Sequence, residues 1–251
     1  METLLVKSWI KLSICRIERI GRIYKLAEKR KLRLYSRTAK EPKKVTVSVL
    51  PLVSKVMEHA IQVQLVKFLE ANEVLSAYQS GHSTKTGVTY LTDQIFEHMD
   101  NQQMTDSVFI DLKKAFDLVD HNCLLQKLEH YGVRGKSLTW FQNYLGSRTQ
   151  RVWFGQNLSP SLPIEYGVPQ GSLLGPLLFV IHINDLKNTH ISMYADDTVI
   201  YCSGANPKEI KKALQEDLER VVTWMEINRL VLNRDKAKMQ FSDGELLTVC
   251  G

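Results

Sequence analysis

An α+β fold, built on an antiparallel sheet with helices covering one side, is what this 251-residue sequence predicts. Three observations lead there. From residue 107 onward, strand-like and helix-like runs follow the order β, α, ββ, α, ββ, α, β, which lacks the regular βα alternation of a parallel sheet. Two apolar runs flank a tight turn in MYADDTVIY, residues 193 to 201, the pattern of a buried β-hairpin. Amphipathic segments after Pro51 and over 207–228 carry the 3.6-residue period of helices.

The first 45 residues stand apart. They hold fourteen of the chain's 33 Lys and Arg but four of its 27 Asp and Glu, so the net charge of +6 conceals a strongly basic arm and a mildly acidic remainder. Trp9, Tyr24 and Tyr35 are interleaved with the basic residues, a composition able to grip phosphate backbones, most strongly at low salt. Ile10, Ile14, Ile17 and Tyr24 recur at roughly helical spacing, so residues 1–45 are expected to form a helical or disordered arm. A mitochondrial presequence is the weaker alternative, because Glu2, Glu18 and Glu28 are unusual in acid-poor transit peptides. A compact domain is expected over 46–242, followed by a short tail over 243–251.

After Pro51 an amphipathic helix is expected with Val53, Val56, His59 or Ala60, Val63 and Phe68 inward. A second helix starts near Ser83 or Thr84 and ends near Asn101. A buried strand follows over Ser107 to Leu112, then helices in HNCLLQKLEHYGV and KSLTWFQNYLGS, separated by Gly132 and Gly135. TQRVWFGQNLSPSLPIEYG predicts a hairpin around Asn157 to Pro160, and GSLLGPLLFVIHINDL a buried helix. The MYADDTVIY hairpin and the helix over 207–228 lead to a last strand pair, LVLN with KMQFS.

Composition excludes some classes. The longest apolar stretch, LLGPLLFVI, falls well short of the roughly 20 residues a membrane-spanning helix needs, so no membrane partner is expected. Cys15, Cys123, Cys202 and Cys250 lie far apart without CxxC spacing, which argues against zinc and for reduced thiols in a nuclear or cytoplasmic rather than secreted protein.

Adjacent carboxylates in an apolar hairpin need explanation. Two anions about 4 Å apart repel by roughly 4 kcal/mol at an effective dielectric of 20, so Asp196 and Asp197 require solvent, a proton or a cation. Asp111 likewise ends an apolar run, VFID, and two such strands lying side by side would gather three carboxylates at one sheet end. Magnesium suits such a site, because this hard ion binds through a few carboxylates and completes its shell with water and phosphate oxygens. Two ions roughly 3.5 to 4 Å apart would serve phosphoryl transfer. The plainer alternatives are a solvated turn for the Asp pair and a helix cap for Asp111. Between them in sequence lies YGVPQGSLLGP, where glycines allow close approach of another backbone and Pro169 stiffens the turn carrying Gln170.

From about residue 46 to 242 the chain resembles the reverse transcriptase domain of non-LTR, LINE-type retrotransposons. The resemblance rests on VLPLVSKVMEHAI, VFIDLKKAFDLVDHNCLLQKL, YGVRGKSLTWFQNYLGSRTQRV, YGVPQGSLLGPLLFVIHINDL, MYADDTVIY and RLVLNRDKAKMQFS, all in the family's order. It implies a right-hand polymerase with fingers and palm that uses an RNA template, a DNA primer and deoxynucleoside triphosphates, with magnesium, or manganese in its place. Asp111, Asp196 and Asp197 then match the metal-binding aspartates. Phe116 matches the bulky residue that excludes a 2′-hydroxyl, Gln170 with Gly171 the turn near the template–nucleotide pair, and the amides around Lys113, Lys114 and Ala115 would face the triphosphate. Lys236 matches a lysine that protonates leaving pyrophosphate, with Lys238 as runner-up. The alternatives are core packing for Phe116, turn stabilisation for Gln170 and solvation for Lys236.

The chain departs from the family's pattern in several places, among them the link NDLKNTHISMYADD, which is shorter than usual. Lys44, Val45 and Thr46 stand where an aromatic, an arginine and a proline are usual, and YQSGHSTKTG runs straight through a position that normally holds a Phe-Arg-basic insertion. Those arginines would grip the incoming triphosphate, so a weakened enzyme, or a non-catalytic nucleic-acid-binding remnant, is expected. The short 243–251 tail after MQFS predicts a truncated copy without a thumb.

Overall fold

The computed structural model describes residues 52–75, 84–151, 153–154, 157–186, 191–194, 197–233, 236–240 and 246–248; the basic arm lies outside them. In chain order the helices are α1 (Leu52–Ala71), α2 (Thr84–Asp100), α3 (His121–His130), α4 (Lys136–Gly146), α5 (Leu174–Ile183) and α6 (Pro207–Ile227), with a 3₁₀ turn at Ala115–Asp117. The strands are β1 (Met104–Ile110), β2 (Thr149–Gln150), β3 (Trp153–Phe154), β4 (Asn157–Leu158), β5 (Leu162–Pro163), β6 (Ile191–Tyr194), β7 (Asp197–Gly204), β8 (Lys238–Gln240) and β9 (Leu246–Thr248). They fall into two compact units, Met1–Val74 with Asp120–Leu178, and Leu75–Val119 with Phe179–Gly251.

In the first unit, α1 turns a different face inward from the one expected. Met57, Ile61, Leu65 and Leu69 are buried, whereas Val56 is 65% exposed, Val63 is 40% exposed, and His59 and Ala60 also face out. Phe68 is half-buried, and the side chain of Val53 lies outside the described residues. The inward face is rotated by about one residue from the one expected, and it also carries Glu58, fully buried between the Tyr144 hydroxyl and the Leu173 N–H. Burial of each large aliphatic side chain contributes about 1.5–3 kcal/mol, so four of them set the inward face while Val56 and Val63 stay out. At the start of α3, Asp120 caps the helix by accepting from the Cys123 N–H at 2.9 Å. The following chain makes two nested antiparallel ladders, β2 with β5 and β3 with β4. It reverses between Phe154 and Asn157 rather than at Asn157 to Pro160, because Trp153 already pairs with Leu158.

The second unit is organised by an antiparallel five-stranded sheet of order β6-β7-β1-β8-β9. Period-2 alternation in MTDSVFI buries Val108 and Ile110 and leaves Phe109, between them, part-exposed. Register stacks Val108 beside Ile200 and Ile191, and Ile110 beside Thr198 and Met193, all buried. Helix α6 starts on an Asn206 cap with Pro207 in its first turn, and buries Ile210, Leu214, Val221 and Met225 at helical spacing. It packs on β7 and β1, while α2 packs on β1 and β6. The α+β architecture with an antiparallel sheet is thus as predicted.

Two strands differ from the sequence expectation. β1 begins three residues before Ser107 and its pairing with β7 ends at Ile110, since Leu112 instead bridges Leu232. LVLN is no strand partner of KMQFS: β8 pairs with β1 and with β9, which lies in the segment expected to be a tail. An isolated apolar run cannot reveal which of several edges it will join, because neighbouring edges offer equivalent backbone donors and acceptors.

Candidate active site

Strand β1 delivers Asp111 to the end of the sheet. Ladder pairing stops with Ile110 opposite Thr198, and the β6–β7 hairpin closes with Tyr194 opposite Asp197. Asp111 and Asp197 are therefore the next residues along on two neighbouring strands. Asp197 is described by its backbone alone, and Asp196 lies outside the described residues.

Beyond the ladder, residues 111–113 run antiparallel to 231–233. The Lys113 N–H donates to the Val231 carbonyl at 2.8 Å, Leu112 bridges Leu232, and the Asn233 N–H donates to the Asp111 carbonyl at 2.8 Å. This docking brings the Asn233 amide to the carboxylate, where Nδ2 donates to Asp111 Oδ2 at 2.6 Å. Lys236 and Ala237 then fold back by donating their N–H groups to the Asn233 carbonyl, and Lys236 Nζ lies 3.6 Å from the same Oδ2. Of the two candidate lysines it is Lys236 that reaches Asp111; Lys238 sits on β8 opposite Phe109. Asp111 is not a helix cap, a role that belongs to Asp120. Asn233 was not singled out by sequence reasoning, and its one signal is an amide closing an apolar run three residues before Lys236.

The turn after Asp111 corrects one further expectation. Because the Lys113 N–H is taken by Val231, it is not available to a triphosphate, which leaves Lys114 and Ala115 as the candidates. Lys114 has the left-handed conformation, φ 48 and ψ 45, and its carbonyl accepts from Asp117 and Leu118, winding the 3₁₀ turn. That turn holds Phe116 half-buried, its ring centroid 4.8 Å from that of the buried Phe179. The tilted pair fixes the Phe116 ring while leaving part of it accessible.

Gln170 and Gly171 belong to the first unit. Gly171 has φ 84, which explains a glycine there. The Pro169 carbonyl accepts from both the N–H and the hydroxyl of Ser172, and Ser172 Oγ accepts from the Gly175 N–H at 2.8 Å. A Cβ on Gly175 would lie 2.7 Å from the Pro169 oxygen, so the tight turn excludes any side chain. Gln170 is half-buried at the tip of this turn.

Comparison with known proteins decides the family. A family model described as "Reverse transcriptase (RNA-dependent DNA polymerase)" matches residues 38–246. The chain belongs to the reverse transcriptase family. Among curated relatives, this reverse transcriptase chain is 28% identical over 203 residues to the "Probable RNA-directed DNA polymerase from transposon X-element" of Drosophila melanogaster, covering 76% of this chain and 22% of that protein. It is 30% identical over 211 residues to the transposon BS polymerase of the same species, with the same coverage. The RNA-directed DNA polymerase from the mobile element jockey, also from Drosophila melanogaster, is 29% identical over 205 residues, covering 75% of this chain and 22% of that protein. The chain thus spans about a fifth of the length of these relatives. Among solved structures, apo telomerase from Candida tropicalis superposes with a TM-score of 0.55 at 10% identity, covering 75% of this chain and 40% of that one. A Candida tropicalis telomerase in complex with a fragment of telomeric RNA gives 0.52 at 12% identity, covering 75% and 33%. At such identities the likeness establishes the shared fold.

Proposed function

We propose that the chain carries out RNA-directed DNA polymerisation, joining deoxynucleoside triphosphates to a DNA primer on an RNA template with two divalent cations. The observation that carries this is the environment of Asp111, held at a sheet end beside the position of Asp197 by Asn233 and facing Lys236. The donor chemistry fits a hard cation. Asp111 is a partly exposed carboxylate, and no described side chain donates to its Oδ1, so one oxygen remains for an ion while Asn233 orients the other.

Magnesium or manganese, held by Asp111, Asp196 and Asp197, would supply Lewis-acid activation of the attacking hydroxyl and charge stabilisation on the departing pyrophosphate. The protein's own groups then do the positioning. Asn233 keeps the Asp111 carboxylate turned toward the sheet end. Lys236 carries a protonated amine close to the site of charge development, suited to giving its proton to pyrophosphate. The Phe116 ring, braced by Phe179, would exclude a 2′-hydroxyl, and Gln170 with Gly171 would bear on the template–nucleotide pair. The amides of Lys114 and Ala115 bind triphosphate oxygens. Absence of the usual fingers arginines lowers nucleotide affinity roughly 10- to 100-fold per lost charge-assisted hydrogen bond of about 1.5–3 kcal/mol.

The test is primer extension on an RNA template with deoxynucleotides and magnesium or manganese. Extension by the wild-type protein, absent from Asp196→Ala and Asp111→Ala, is the expected result. Equal signal from all three overturns the enzyme. Template binding without extension by any of them would instead identify a non-catalytic nucleic-acid-binding remnant.

A further inference from the structure

Glu58 is a fully buried acid on α1 for which the polymerase chemistry has no use. Both of its oxygens accept hydrogen bonds, the pattern of an ionised carboxylate. Oε1 takes the Tyr144 hydroxyl at 2.8 Å, and Oε2 takes the backbone N–H of Leu173 at 2.9 Å. The countercharge is Arg148, itself buried, with a guanidinium nitrogen 4.0 Å from Oε1. Arg148 is in turn fixed to α4, because Nε donates to the Tyr144 carbonyl at 2.8 Å and the guanidinium lies 4.3 Å from the centre of the Tyr144 ring. Trp140 stacks on the same ring, with centroids 5.0 Å apart. Burial holds the Tyr144 phenol well above its ordinary range, with the Arg148 charge opposing the rise and Glu58 adding to it, so it stays a donor.

The backbone N–H that Glu58 captures belongs to the turn bearing Gln170. Leu173 is three residues beyond Gln170, and the intervening Ser172 is locked to Pro169 and Gly175. All these groups lie in one compact unit. On a helix face otherwise lined by Met57, Ile61, Leu65 and Leu69, position 58 carries an acid, one oxygen of which holds a loop amide.

We infer that Glu58, braced by Tyr144 and Arg148, is a positioning residue that anchors the Pro169–Leu173 turn and thereby sets where Gln170 meets the template–nucleotide pair. This deepens the polymerase function proposed above and rests on it. Neutralising the acid should loosen the turn and degrade nucleotide selection without removing the chemistry.

The test compares Glu58→Gln, Gln170→Ala and the double variant. An amide at position 58 keeps the shape but replaces one of the two acceptor oxygens by a donor. Expected in steady-state extension is a roughly tenfold rise in nucleotide KM and in misinsertion for Glu58→Gln, with kcat within about threefold of wild type. The double variant should be no worse than Gln170→Ala alone, since both lesions act through one side chain. Unchanged KM and misinsertion in a folded Glu58→Gln protein, or multiplicative losses in the double variant, would overturn the inference. Hydrogen exchange at the Leu173 amide reads the anchor without any activity. Faster exchange in Glu58→Gln, with wild-type exchange in the α3 amides, supports the anchor even if no variant extends a primer. Unaltered exchange at Leu173 refutes it, and failure of the wild type to extend refutes the polymerase instead.

Discussion

Asn233→Ala isolates the contact that orients the candidate metal-binding carboxylate. Two groups hold Asp111 Oδ2, and their strengths differ. Lys236 at 3.6 Å would attract it by about 4–5 kcal/mol gross at an effective dielectric of 20. The lysine side chain is 68% exposed, however, and solvent screening reduces such pairs to about 0–1 kcal/mol. The Asn233 amide at 2.6 Å is a short bond to an ionised acceptor, worth about 1.5–3 kcal/mol, and the acid is only 24% exposed. Partial water access places the loss toward the lower end, about 1.5–2 kcal/mol, which is roughly a 10- to 30-fold fall in rate if the carboxylate is displaced in the transition state. Single-turnover primer extension at saturating nucleotide measures it. The backbone bond from Asn233 to the Asp111 carbonyl survives the substitution, so the fold should persist. Asn233→Asp should be worse, because a second carboxylate beside Asp111 repels it. A rate within twofold of wild type for a folded Asn233→Ala protein would show that Asp111 needs no such orientation.

Other outcomes follow from the same geometry. Phe116→Ala should admit ribonucleotides, measured as the ratio of ribo- to deoxynucleotide incorporation; an unchanged ratio would show that the ring braced by Phe179 is not the sugar gate. Magnesium should raise the melting temperature of the wild type by relieving carboxylate repulsion, and an equal rise in Asp196→Ala would remove that explanation. Gly175→Ala should destabilise by about 1–3 kcal/mol in denaturant titration, because its Cβ meets the Pro169 oxygen at 2.7 Å. Gly146→Ala, at the end of α4 with open space around it, should be neutral or stabilising by up to about 1 kcal/mol, and equal losses at both sites would refute the close-approach account. Burial, and then the nearby Asp217 charge, raises the Cys202 thiol above its ordinary value of 9.0. Since the folded state holds that proton longer than the unfolded chain, the thiol's contribution to stability is present below about pH 9 and lost as pH rises through the higher folded value. Cys202 should therefore alkylate more slowly than a small free thiol at pH 8.5, and a matching rate would contradict the burial.

Much of the site was legible because its signals are local. The apolar runs ending in Asp111 and flanking Asp197 announce the strands β1, which stops one residue short of Asp111, and β7, which starts at Asp197, and period alone identifies α6, which runs from Pro207 to Ile227. The lysine nearest the carboxylate could be guessed from its place after LVLN, although Lys236 and Lys238 have equal claims by composition. Which face of α1 turns inward was not legible, since Val56 and Val63 look as apolar as Ile61 and Leu65. The buried face is the one carrying Met57, Ile61, Leu65 and Leu69, and it also brings Glu58 to Tyr144 and Leu173, which lie far away along the chain.

By itself, then, the sequence determined the kinds of element, the carboxylates and the family, because periodicity, residue chemistry and motif order are properties of short stretches. Only the tertiary structure decided that 231–233 docks against 111–113, that Asn233 grips Asp111, that Val231 occupies the Lys113 amide, and that Glu58 ties α1 to the Gln170 turn. Each of these is a hydrogen bond between groups distant along the chain. Any such donor has many equivalent acceptors, and the selection is made by the packing of the whole unit around them.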